Sequence, residues 1–341
     1  MLNGNGKNQT SIIYMLCFLL LICAFGSSVP ADSTTKTKNP PQVVSTFSIV
    51  ACDPATGEIG VAVASKFFAV GSVVPWAKAN IGAVATQSYA NTSFGYKGLE
   101  LLGLGFTPEQ TMDILLKDDD NPTQRQVGIV SPDGKSATYT GENCLYWAGG
   151  KNGPSYAVQG NILTGEDVVS DMEKVFLETE GTLASRMYAA LVAGDEAGGD
   201  SRGRQSAAMY IAKEGAGYGG YIDNAIDIRV DDHPEPFKEL GRLLQMAEMN
   251  YDWNVAWTAF SEKRFEDALP LMERAAKYEP AYAEVFYDLA VIRLAAGDSE
   301  GAMGALKKAI EQNPKLKKQA AVDGDLDGLK DHTDFENLIA P

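Results

Sequence analysis

Histidine is nearly missing from this chain: His233 and His332 are the only two in 341 residues. A Ser-His-Asp arrangement or a histidine-rich metal centre would have to use one of them. Both settings are poor, since His332 lies in an acidic tail and His233 sits in Asp231-Asp232-His233-Pro234 at a helix start. Cysteine is scarce as well. Cys17 and Cys23 fall in the apolar N-terminal segment, leaving Cys52 and Cys144 either to pair in an oxidising compartment or to serve as two small buried residues. Positive charge is short, with 29 Lys and Arg against 45 Asp and Glu, which excludes a surface built for nucleic acid or anionic lipid. Gly103 and Gly105 lack the lysine and spacing of a phosphate loop. Asp118-Asp119-Asp120, beside Asn121-Pro122, reads as a solvated loop rather than a cation site. No cofactor and no metal is expected, and any chemistry falls to a hydroxyl nucleophile working without histidine.

Residues 1 to 31 have the form of a secretory signal: Lys7, an apolar run from Ile12 to Phe25 too short for a comfortable membrane span, then small residues ending Val29-Pro30-Ala31. The expectation is a secreted or periplasmic protein without stable membrane insertion after cleavage, the alternative being an anchor formed by the uncleaved segment. Residues 32 to 45, rich in Ser, Thr, Lys and Pro, read as a flexible linker.

From Thr46 the pattern turns to strands. Thr46 to Cys52 alternates, Asp53-Pro54-Ala55-Thr56-Gly57 supplies a turn, and Ile59 to Ser65 returns as a hairpin. A Gly- and Ala-rich strand follows over Ile81 to Ser88. Thr107-Pro108-Glu109-Gln110 is a capping box that starts a helix running to about Lys117. Further strands are expected over Gln126 to Val130, Ser136 to Thr140, Tyr156 to Gly160, Ser206 to Ala212 and Ala225 to Val230. Between them lies a helix pair, with Val168, Met172, Val175 and Phe176 on one face and Leu183, Met187 and Leu191 on the next. This β, αα, β, αα, β order over 46 to 232 predicts an α+β layered domain.

After Asp232 the chain reads as helix throughout. A helix over Phe237 to Met246 is expected, followed by two repeats over about 249 to 316. Pro280 and Pro314 stand 34 apart, and Ala256/Ala290, Ala268/Ala302, Ala275/Ala309 and Met272/Leu306 keep the same period, which is the tetratricopeptide spacing. Such repeats dock a protein partner, or cap the fold and support a homo-oligomer.

Several motifs occur together and in order: Thr46-Phe47-Ser48-Ile49-Val50-Ala51, Gly60 to Lys66, Ala69 to Pro75, Gly82 to Gln87, Gln159-Gly160-Asn161 and Ala197 to Ser206. Over about Thr46 to Leu244 the chain thereby resembles the bacterial family catalogued as domain of unknown function 1028. The resemblance implies the fold of the N-terminal-nucleophile (Ntn) hydrolase-like superfamily, a four-layer αββα sandwich. It supplies a mechanism class and no substrate. Members begin close to the residue matching Thr46, which favours Thr46 over Ser48.

A threonine at a chain's first position can use its own α-amine, with a pKa of about 7.7 to 8.0, as general base. Here that needs a cut between Ser45 and Thr46. On this reading Thr46 is the nucleophile, with Ser48 and Lys66 beside it, and Thr86, Gln87 or Asn161 supplies oxyanion donors. Ser65, Asn91, Asp200, Arg202, Arg204, Gln205 and Ser206 are the expected substrate-binding set, the arginines holding a carboxylate of a small amide or peptide. The competing expectation is a non-catalytic binding protein that keeps the sandwich as a ligand pocket and docks partners through its repeats.

Overall fold

The computed structural model describes residues 46–278 and 281–340; the stretches expected to be a signal and a linker, with Cys17 and Cys23, lie outside the described residues, as does Pro280. The chain's strands are β1 (Thr46–Asp53), β2 (Glu58–Ser65), β3 (Pro75–Lys78), β4 (Gly82–Ser88), β5 (Arg125–Val130), β6 (Ser136–Thr140), β7 (Trp147–Gly153), β8 (Tyr156–Leu163), β9 (Ser206–Ala212) and β10 (Asn224–Val230). They form two antiparallel sheets, in the orders β10-β9-β2-β1-β8-β7 and β3-β4-β5-β6.

The alternation along β1 decides what lies on each side of the larger sheet. Phe47, Ile49 and Ala51 pack with Met172, Met187 and Leu191, carried by α3 (Asp167–Glu178) and α4 (Leu183–Glu196). Val50 and Cys52 face the other way and meet Val61, Val63, Ala83, Ala85 and Val130 in the layer between the sheets. The smaller sheet turns Val84, Val127 and Ile129 outward onto Phe94 and Leu102 of α1 (Ser93–Gly103) and Met112 and Leu115 of α2 (Pro108–Lys117). Helix pair, sheet, sheet and helix pair are thus stacked in that order.

The capping box forms as expected: Gln110 N donates to Thr107 Oγ1 at 3.3 Å and Thr107 N donates to Gln110 Oε1 at 3.0 Å. Thr107→Ala should cost about 1 kcal/mol in chemical denaturation, with no change in ligand binding.

Three features correct the expectations from sequence. Strands β3 and β7 were not foreseen. Both are edge strands; β3 opens on Pro75, which an edge tolerates, and β7 is half exposed and reads Trp-Ala-Gly-Gly-Lys-Asn-Gly, a composition that resembles a loop. Asp119 does not belong to a solvated loop: its side chain is buried and accepts from Arg125 Nε at 2.9 Å and Asn91 Nδ2 at 2.6 Å. Burial opposes its ionisation, but those donors together with Asn121 N outweigh it and hold the carboxyl below its ordinary value. Finally, the helix expected to stop at Met246 continues. It is α5 (Pro236–Ser261), uninterrupted because no Gly or Pro falls between Gly241 and its end. Its Phe237, Leu240 and Leu244 belong to the sandwich core, and its Met249, Ala256 and Ala259 to the helical core.

The remaining helices are α6 (Phe265–Ala275), α7 (Ala283–Ala295), α8 (Ser299–Gln312), α9 (Leu316–Ala320) and α10 (Phe335–Ile339). The four Ala and Met/Leu pairs of the 34-residue spacing, from Ala256 to Ala309, are fully buried, so the alanines are where helices approach closely, while Pro314 is exposed. Among the described residues no helix is long and apolar enough to cross a membrane. Cys52 and Cys144 are both free thiols, donating to Ser131 O and Arg125 O.

Asp288 on α7 accepts from Trp253 Nε1 at 2.7 Å. Burial, opposed by that bond and reinforced by Asp323 and Glu284, pushes its carboxyl up to about 6 from 3.8. A raised folded-state value means the favourable contribution is complete below the unfolded value and is lost as pH rises through about 6. Asp288→Asn, which keeps the acceptor for Trp253, should therefore be near neutral at pH 4 and stabilising by about 1 to 2 kcal/mol at pH 8. Paired denaturation curves at the two pH values check the sign.

Candidate functional site

β1 and β2 are the two central strands of the larger sheet, and their register brings hydroxyls together at one end of it. Ser65 pairs with Ser206 of β9, and Thr46 Oγ1 lies 3.4 Å from Ser65 Oγ, so Thr46, Ser65 and Ser206 form a row across three adjacent strands. Thr46 and Ser206 are fully buried and Ser65 is nearly so. Ser206 Oγ is engaged with the loop after β2, accepting from Val70 N at 3.2 Å and donating to Phe67 O at 2.5 Å.

On the other flank of β1, Thr46 is paired with Asn161 of β8. The next residue, Ile162, has φ 55°. A β-branched residue in the left-handed region is strained by about 1 to 3 kcal/mol, and such strain persists only where surroundings hold it. Here Ser201 N and Ser201 Oγ both donate to Ile162 O, at 3.0 and 2.9 Å.

Above the row lies a cavity of about 260 Å³ whose wall includes Phe47, Ser65, Asp200, Arg204, Ser206 and Phe237; Thr46 is not part of that wall. The loop after α4 supplies the charges. Asp200 Oδ2 accepts from Lys66 N at 2.8 Å, while its Oδ1 accepts from Arg202 N at 2.9 Å and Arg202 Nε at 3.2 Å. Arg204 is bound to Asp195 at 2.7 Å, with its guanidinium 6.0 Å over the Phe237 ring. Lys66 is exposed and its Nζ donates to Arg204 O at 3.1 Å. Three cations thus meet Asp195 and Asp200, and Glu235 also acts on Arg204, so opposite charges are about balanced here in a chain of net charge -16. The loop turns through Gly198, whose φ of 117° suits only glycine and whose added Cβ would meet Thr164 Oγ1.

The amide donors lie elsewhere, in a polar seam between the sheets. Ser48 Oγ donates to Gln87 Oε1 at 2.6 Å and accepts from Gln159 Nε2 at 2.6 Å. Gln87 Nε2 and Asn161 Nδ2 both donate to Gln126 Oε1, at 2.8 and 2.9 Å. Gln126 Nε2 in turn donates to Gly160 O at 2.7 Å and Thr140 Oγ1 at 2.9 Å. Gln87 Nε2 also reaches the Thr46 carbonyl at 3.3 Å, so it positions the backbone of Thr46.

Of the residues expected from sequence, Thr46, Ser65, Lys66, Asp200, Arg202, Arg204 and Ser206 come together at this end of the sheet. Ser48, Gln87 and Asn161 face the seam. Thr86 and Asn91 belong to a different structure: Thr86 Oγ1 donates to Asn91 O at 3.1 Å, and Asn91 Oδ1 accepts from Ser93 N at the start of α1. Gln205 is tied to Asp232, and its carbonyl accepts from His233 N. Reasoning from sequence passed over Asp195, Phe237 and the two glutamines Gln126 and Gln159. The glutamines carried a usable signal, each being a polar residue inside an otherwise apolar strand.

The family model described as "Family of unknown function (DUF1028)" matches residues 46–240, and a tetratricopeptide repeat model matches residues 259–322. Among solved structures, the crystal structure of protein SPO2555 from Silicibacter pomeroyi, itself assigned to the DUF1028 model, is 32% identical. The match covers 62% of this chain and 90% of that one, with a TM-score of 0.56. No curated protein matches.

Proposed function

This chain belongs to the DUF1028 family and carries tetratricopeptide repeats after the family domain, and from that footing we propose that it is an exported amide hydrolase of the Ntn class whose nucleophile is Thr46. The observation that carries the reading is the setting of Thr46. It opens a central strand, its Oγ1 lies 3.4 Å from Ser65 Oγ, Gln87 holds its carbonyl, and strained Ile162 stands beside its strand partner Asn161. The helix pair, sheet, sheet and helix pair order supports the αββα sandwich of that class.

In this mechanism the bond between Ser45 and Thr46 is cut first, freeing the α-amine. The amine takes the proton from Thr46 Oγ1 as the oxygen attacks the substrate carbonyl. The resulting tetrahedral centre collapses with transfer of that proton to the leaving amine, giving an acyl ester on Thr46. Water then hydrolyses the ester and restores the hydroxyl. Arg202, Arg204 and Lys66 hold a substrate carboxylate near the cavity, while Asp200 fixes their loop to the end of β2. The experiment is intact-mass measurement of the protein exported by its native host. A mature chain beginning at Thr46 is expected; a stable start near Val29 or Asp32 in all material would exclude the mechanism.

The match to tetratricopeptide repeats favours a second role, in which the helical region docks a protein partner. It is compatible with catalysis and would be the sole function if Thr46 is never a chain start.

A further inference from the structure

A second cavity, of about 430 Å³, lies between the sandwich and the helical region. It is remote from the hydroxyl row. Lys213 follows the end of β9 opposite Ser206, roughly 20 Å away at the rise of an extended strand. Its floor is apolar, formed by Ala184, Ile211, Ile226, Val255 and Leu271. Its polar groups are the Thr182 hydroxyl and the charged Glu58, Lys213, Glu248, Asp252 and Arg274, with the rings of Tyr251 and Tyr278.

The charges pair unequally. Asp252, itself buried, is bound by Arg274 Nε at 2.6 Å. Glu58 has Lys213 Nζ at 3.8 Å, and that ammonium also lies 5.8 Å from the Tyr251 ring. Glu248 accepts a hydrogen bond from Thr182 Oγ1 at 2.9 Å and has no salt-bridge partner among the described residues. Three carboxylates therefore face two cations, leaving one negative charge at Glu248 beside two aromatic rings and an apolar floor.

We propose that this cavity binds a small organic cation, an ammonium group on an apolar arm, with the ammonium between Glu248 and the faces of Tyr251 and Tyr278. Aromatic faces and a carboxylate both attract a cation, and the apolar floor receives its hydrocarbon part. An anion would meet the excess carboxylate, and a neutral apolar molecule would leave it uncompensated. Burial, against the Thr182 hydrogen bond and the nearby Arg274 guanidinium and helped by Asp252 and Glu58, holds the Glu248 carboxyl above its ordinary value. Because the wall is drawn from β2, β9 and β10 on one side and from α5 and α6 on the other, an occupant bridges the two parts of the protein.

The test uses the full chain, with 2-phenylethylamine and its neutral analogue 2-phenylethanol as probes in calorimetric titration. Saturable binding of the amine is expected, at least tenfold tighter than the alcohol, together with a raised melting temperature. Glu248→Gln keeps an acceptor for Thr182 and should weaken the amine about tenfold or more, while leaving the melting temperature of the unliganded protein at or above that of the parent. Val255→Phe, which fills the floor, should weaken it comparably. Equal affinity for amine and alcohol, unchanged amine affinity in Glu248→Gln, or no saturable binding at millimolar concentration would overturn the proposal. None of these outcomes bears on Thr46.

Discussion

Thr46→Ala is expected to abolish amide hydrolysis, by three orders of magnitude or more in kcat, while leaving the fold and melting temperature close to those of the parent. The size follows from the role, since loss of a nucleophile removes the covalent route altogether and leaves only what binding and electrostatics contribute. Stability should change little, because alanine keeps the backbone that pairs with Asn161 and accepts from Gln87. Thr46→Ser should retain measurable turnover, as it supplies the same oxygen. The assay is release of amine from a panel of acyl and aminoacyl anilides, using material shown by intact mass to begin at residue 46. If the parent prepared in that way hydrolyses part of the panel and Thr46→Ala does so equally fast, Thr46 is not the nucleophile.

The largest stability effect is expected at Gln126. It is fully buried and joins both sheets, accepting from Gln87 and Asn161 and donating to Gly160 O and Thr140 Oγ1. Gln126→Leu matches its volume but leaves those groups without their partner in a space closed to water. A buried orphan costs about 1 to 3 kcal/mol, and some will find new bonds, so a net loss of about 3 to 4 kcal/mol is expected. A lower urea midpoint at an unchanged slope would register it. Gln126→Glu provides a check on the cause: its carboxylate would face the Gly160 carbonyl and hold its proton tightly. Its stability should therefore recover as pH falls and the carboxyl becomes a donor again. A Gln126→Leu protein as stable as the parent would mean the seam is incidental to the fold.

What could be read from the chain divides along physical lines. β1, β2 and the capped helix α2 announce themselves because their signals are local: alternation, a turn with Asp53 and Gly57, a Thr-Pro-Glu-Gln start. Edge strands β3 and β7 do not, because with one neighbour and a half-wet face nothing forces them to alternate. The charged end of the site was legible as far as Asp200, Arg202 and Arg204 fall within one glycine-rich segment. Asp195 and Phe237 complete that wall from elements whose approach depends on tertiary packing. The roles of Gln87 and Asn161 were harder still. An amide at a strand end looks the same whether it faces a substrate or another sheet, and here the partners are Gln126 and Gln159 on distant strands.

The continuity of α5 has a mechanical consequence. At about 1.5 Å per residue its 26 residues make a rod of roughly 39 Å. Phe237, near one end, stacks on Phe47 and closes the cavity beside Arg204; Ala256 and Ala259, near the other, are gripped by the repeats. A protein that leans on the repeats therefore leans on the same unbroken helix that supplies a wall of the cavity.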